Sequence, residues 1–114
     1  MTWQSLLKTF TFNESEDTSV QLVNDWKESL YDVMVMWEES QGAGYVDDYL
    51  HLDRINSLTE IYAIVLDEIR QTEEYLSWDW SEQPNAAEQI RFFERYLRGL
   101  EQLKEDMEWN FGDN

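Results

Sequence analysis

Three groups of side chains in this 114-residue chain have the type and spacing for chemistry. Asp25, Glu28 and Asp32 stand three and four residues apart, so a helix would gather their carboxylates on one face, where they could share a divalent cation. With Mg2+ such a row suits hydrolysis of a nucleotide, but that chemistry also needs a second, inward-facing acidic cluster and bases for the phosphates. Asp48-x-x-His51 has the spacing of one half of a di-iron carboxylate site, yet His51 is the only histidine and a second half needs another. Arg91, Arg95 and Arg98 make a basic stripe with steps of four and three. It could clamp phosphate, but Glu88 and Glu94 lie at pairing distance from Arg91 and Arg98, which favours a brace for acidic helices. Cysteine is absent, and no nucleophile elbow, P-loop or dinucleotide fingerprint occurs. The expectation is a non-enzymatic protein with no catalytic residue, no metal and no cofactor.

The charge is the outlying property. Eight Lys and Arg against 25 Asp and Glu give a net charge of −17. Such a surface repels nucleic acid and anionic membranes, and it attracts basic proteins at raised on-rates. Acidity kept for solubility or for life in salt is the alternative. Apolar residues make up 42% of the chain and aromatics 15%, which is the composition of a folded domain with one core. No apolar run approaches the roughly 18 residues of a membrane span, and MTWQSLLKTF is too short and polar for a signal peptide. The expected setting is the cytoplasm.

The elements that must position these groups are helices. From Thr18 to Gly44 the apolar residues Leu22, Val23, Trp26, Leu30, Val33, Met34 and Trp37 recur at helical spacing, with Thr18 or Ser19 as cap and Gly42-Ala43-Gly44 as the break. Ser57 and Glu60 form a capping box before a second long helix with core residues Leu58, Ile61, Tyr62, Val65, Ile69 and Leu76. Pro84 interrupts the pattern, and Asn85 with Glu88 reads as another capping box. A third long helix then runs from about Ala86 to Trp109, with Ile90, Phe93, Tyr96, Leu97, Leu100, Leu103 and Met107 on its core face. Gly99 in that helix suggests a close approach, and Gly112 a stop. Thr2 to Phe12 reads as a short helix, Asn13 to Asp17 as a connector, and Tyr45 to Leu52 as a helical turn. The sum is an all-α single domain over residues 1–114, a compact bundle of three long helices with one or two short ones.

On those helices the acids fall in rows. Asp25, Glu28, Asp32 and Glu39 share one face of the first long helix, and Glu60, Asp67 and Glu74 one face of the second. Carboxylates three or four residues apart are separated by about 5–6 Å, close to the pitch of phosphates along a strand. Off the core arcs, Tyr31 and Met36 beside the first row, and Trp78 and Trp80 beside Asp79 and Glu82, read as aromatic and thioether anchors in an acidic rim. The competing reading buries them in a second core contact or a homodimer seam.

In composition and architecture this acidic helical design resembles phage anti-restriction and anti-CRISPR DNA mimics, and equally the acidic helical immunity proteins that neutralise basic nuclease toxins. No motif carries the resemblance, so no residue role comes with it. Both classes imply stoichiometric blockade of a basic, nucleic-acid-processing protein, without direct nucleic-acid binding. An acidic interaction or chaperone module working through its exposed apolar residues is the second expectation. A Mg2+-dependent nucleotide hydrolase is the third.

Overall fold

The computed structural model describes residues 20–111. Thr2 to Phe12, the connector after it, the Thr18 or Ser19 cap and the Gly112 stop lie outside the described residues. Among those that are described, every regular element is helical and no strand occurs.

Helix α1 (Val20–Met34) opens the described chain and is followed by a 3-10 turn (Val35–Trp37) and one short helical turn, α2 (Glu38–Gln41). The single long helix expected here is therefore broken. The 3-10 turn winds about 120° per residue against about 100° in an α-helix, so three such residues rotate everything after them by roughly 60°. Gly42 at φ 96° and Gly44 at φ 87° then reverse the chain, in backbone conformations that side chains with a Cβ rarely adopt. Helix α3 (Tyr45–Leu50) follows, and its Val46 N–H donates to the Glu38 carboxylate at 3.2 Å. A second 3-10 turn (Leu52–Arg54) leads to α4 (Leu58–Leu76).

The capping box that opens α4 forms as the sequence indicates. The Glu60 N–H donates to Ser57 Oγ at 3.2 Å, with Ser57 in an extended conformation. In return the Glu60 carboxylate accepts from the Asn56 N–H at 2.9 Å. Helix α5 (Ala86–Phe111) begins differently from expectation. Asn85 stands at φ 62°, in the left-handed region that Asn tolerates, rather than in the extended backbone of a side-chain cap.

The core is where α1, α4 and α5 meet. α4 lies along α5 in the most extensive contact, and α1 packs on both. Val23, Leu30 and Met34 of α1 are buried with Leu58, Ile61, Val65 and Leu66 of α4 and Tyr96, Leu100, Leu103 and Met107 of α5. At the crossing of α1 and α5, a Cβ added to Gly99 would stand 3.2 Å from Val33 Cγ1, so a side chain there would require Val33 to give by a few tenths of an ångström.

Candidate functional site

The acidic rows come out unequal. Asp25, Glu28 and Asp32 on α1 are all exposed, and among the described residues none has a cation within 4 Å. The Asp25 carboxylate accepts from the Gln21 amide at 2.9 Å. Glu39 is exposed too, beyond the 3-10 turn, and Arg95 of α5 reaches it at 3.8 Å. On α4, Glu60 is engaged in its capping box. Arg70 stands between the other two, 3.1 Å from Asp67 and 3.4 Å from Glu74. Gln71 donates to Asp67 as well, at 2.7 Å. The open negative row is thus the triplet on α1, while the α4 row is largely spoken for.

The arginine stripe does not form its expected local pairs. Neither Glu88–Arg91 nor Glu94–Arg98 closes, and of the three only Arg95 has an ion-pair partner among the described residues, across to Glu39 with both side chains more than half exposed. Such a pair contributes little stability. The three arginines and Phe92 instead flank an open groove of about 450 Å3.

The apolar candidates also divide. Tyr31 and Met36 are half-buried against the core, which is the packing alternative rather than a free anchor. Trp80 is held by its indole N–H, which donates to the Tyr75 carbonyl at 2.8 Å. Trp78 remains 54% exposed, stacked on Trp80 at 6.1 Å and edge-on to Tyr75 at 5.0 Å. Between them Asp79 accepts from the Ser81 N–H at 3.0 Å, and its hydrogen bonds to Ser81 hold its carboxyl below the usual range.

The most unusual group was absent from the sequence reading. Glu68 of α4 is only 7% exposed, and its two carboxylate oxygens accept from two tyrosines on other helices. The Tyr96 hydroxyl of α5 donates to Oε1 at 2.8 Å, and the Tyr49 hydroxyl of α3 donates to Oε2 at 2.8 Å. Burial, and then the Glu68 charge, push the phenols of Tyr49 and Tyr96 well above their ordinary value. Beside this network is a small cavity of about 100 Å3, walled by Trp37, Tyr45, Tyr49, Tyr75 and Glu68. Trp37 anchors the aromatic side, edge-on to Tyr96 at 5.6 Å and to Phe92 at 4.9 Å. A signal for Glu68 existed: Val65, Glu68 and Thr72 continue the core-facing steps of α4, and only residue type set Glu68 apart.

Among the described residues no group of three or more His, Cys, Asp or Glu side chains is placed to hold a metal ion, the Asp25–Glu28–Asp32 row included. No described helix is long and apolar enough to cross a membrane. Comparison with protein-family models, with curated proteins and with solved structures gives no match.

Proposed function

We propose that this chain is a non-catalytic inhibitor that binds the basic surface of a nucleic-acid-processing protein, in the manner of a DNA mimic or a nuclease-immunity protein. The observation that carries the reading is the exposed, uncompensated row Asp25, Glu28 and Asp32 on one rigid helix of a chain at −17. Adjacent carboxylates about 5–6 Å apart repeat charge at a phosphate-like interval, and a helix holds that interval without ordering a flexible segment on binding. A groove lined by Lys and Arg to hold a phosphate backbone would meet similar charge density here. The half-engaged α4 row and Glu39 supply the acidic surroundings and steering rather than the contact itself.

The test is capture of the partner on the immobilised protein, eluted with a salt gradient and separately with duplex DNA, against a variant carrying Asp25→Lys, Glu28→Lys and Asp32→Lys. The expected result is a basic, DNA-displaceable partner lost from the variant while its helical circular dichroism is unchanged. Equal retention of that partner by the variant would remove the α1 row from the site.

A second reading is favoured by one observation, the exposure of Trp78 just after the end of α4. An interaction or chaperone module seated on that ring would keep its complex in high salt and lose it on Trp78→Ala.

A further inference from the structure

The cavity beside Glu68 is lined by one acidic side chain and no basic one. Glu68 is a carboxylate withdrawn from water, and both of its donors are neutral phenols. Among the described residues no Lys, Arg or His stands within 4 Å of it. A buried anion ordinarily has a cation or a metal beside it, because two phenolic hydrogen bonds do not neutralise the charge. Together with Met34, Gln71 and Thr72, the rest of the wall is made by the rings of Trp37, Tyr45, Tyr49 and Tyr75. Their π-systems are negative on the face and attract a cation placed against them. Tyr45 and Tyr49 stack at 5.9 Å with their rings 16° apart, and Tyr49 is 45% exposed, so one side of the cage meets solvent. The cavity measures about 100 Å3, room for a compact head group and too little for a fused aromatic ligand.

We propose that the aromatic cavity between α3, α4 and the end of α1, with Glu68 in its wall, is a binding site for an organic ammonium group. Lysine side chains, their methylated forms and choline-like amines share this chemistry. Phosphate, carboxylate and neutral apolar groups of the same size do not. Tyr49 and Glu68, hydrogen-bonded to each other, also border a separate open groove over Leu50, Ala63, Ile64 and Asp67. The α1 acidic row plays no part in this site, so the two proposals stand or fall separately.

The experiment is isothermal titration calorimetry of the full chain with choline and with N-acetyl-trimethyllysine amide, at ionic strength held constant with sodium chloride. The control is 3,3-dimethylbutan-1-ol, the uncharged isostere of choline. Saturable one-to-one binding of a cation, with the isostere about tenfold weaker or worse, is the expected result. Nuclear magnetic resonance should show the Trp37 indole N–H shifting along the same titration. Glu68→Gln should reduce affinity about tenfold or more. Because that change touches the buried network, in which Tyr49 also takes part, Tyr45→Leu is the parallel variant: it removes a ring of the cavity and no hydrogen bond to Glu68, and it is expected to fold and to bind more weakly. Tighter binding of the lysine derivative than of choline assigns the cation to a partner polypeptide, and the reverse order to a free amine. Heats no larger than sodium chloride alone gives, equal binding of the isostere, or full affinity in both variants would overturn the proposal.

Discussion

The Tyr96 hydroxyl donates to Glu68 Oε1 at 2.8 Å across 28 residues of sequence, and this bond joins α5 to α4 inside the core. Tyr96 is fully buried and Glu68 nearly so. Replacing Tyr96 by Phe leaves the ring packed and takes one donor from a buried carboxylate. The expected cost is about 2 kcal/mol, in the range for a hydrogen bond to a charged group. Urea unfolding of Tyr96→Phe measures it. A midpoint equal to the parent's would mean that water or another donor replaces the phenol.

Alkaline pH should unfold the protein through its tyrosines. Burial, with help from Glu108, pushes the Tyr62 phenol up to about 12, from an ordinary 10. Tyr49 and Tyr96 are raised further by burial and by Glu68. A phenol whose native pKa is raised favours the folded state fully below pH 10, and that contribution disappears as pH climbs through the native value. Helical ellipticity and tyrosinate absorbance followed together should therefore change in concert above about pH 10. Complete tyrosinate formation with full helicity at pH 12 would contradict the burial of these rings.

Gly99 and Val33 should be energetically coupled. Alanine at a helix interior gains about 1 kcal/mol over glycine, but here its Cβ would meet Val33 Cγ1 at 3.2 Å. In a Val33→Ala background the gain of Gly99→Ala should appear nearly whole, and in the parent it should be reduced or reversed. A double-mutant cycle by chemical denaturation reads the difference. Additivity within about 0.5 kcal/mol would show that the crossing relaxes around the methyl group.

Ser57→Ala should destabilise the domain by about 1 kcal/mol, because it removes the acceptor for the Glu60 N–H at the start of α4. Thermal melts of Ser57→Ala and of Ser57→Asp, which restores an acceptor, should separate. Equal melting temperatures for the three proteins would mean that α4 begins without help from this cap.

Salt should raise the melting temperature. At −17 the folded chain is dominated by like-charge repulsion, and the four ion pairs seen among the described residues include none deeply buried. Screening therefore relieves more repulsion than it weakens attraction. Melts between low salt and about 0.5 M sodium chloride should rise steadily, with a smaller slope after charge reversal of Asp25, Glu28 and Asp32. A falling melting temperature would place the weight on the ion pairs instead.

The sequence by itself determined the elements that depend on neighbours within a few residues. The apolar period of α4 and α5, the Ser57–Glu60 capping box and the turn at Gly42 and Gly44 are local rules, and each is present. The exposure of Asp25, Glu28 and Asp32 was legible for the same reason, since they lie opposite the core arc of a single helix. Tertiary structure decided what local spacing cannot carry. Asn85 took a left-handed backbone after Pro84 instead of capping α5, and Arg95 crossed to Glu39 while the pairs expected along the helix, Glu88–Arg91 and Glu94–Arg98, stayed open. The 3-10 turn at Val35–Trp37 interrupted the helix expected to carry Glu39 together with Asp25, Glu28 and Asp32. Glu68 shows the limit most plainly. A glutamate is buried only if distant partners offset its lost hydration, and those partners, Tyr49 and Tyr96, lie 19 and 28 residues away. No period in the sequence brings them together; the packing of α3 and α5 on α4 does.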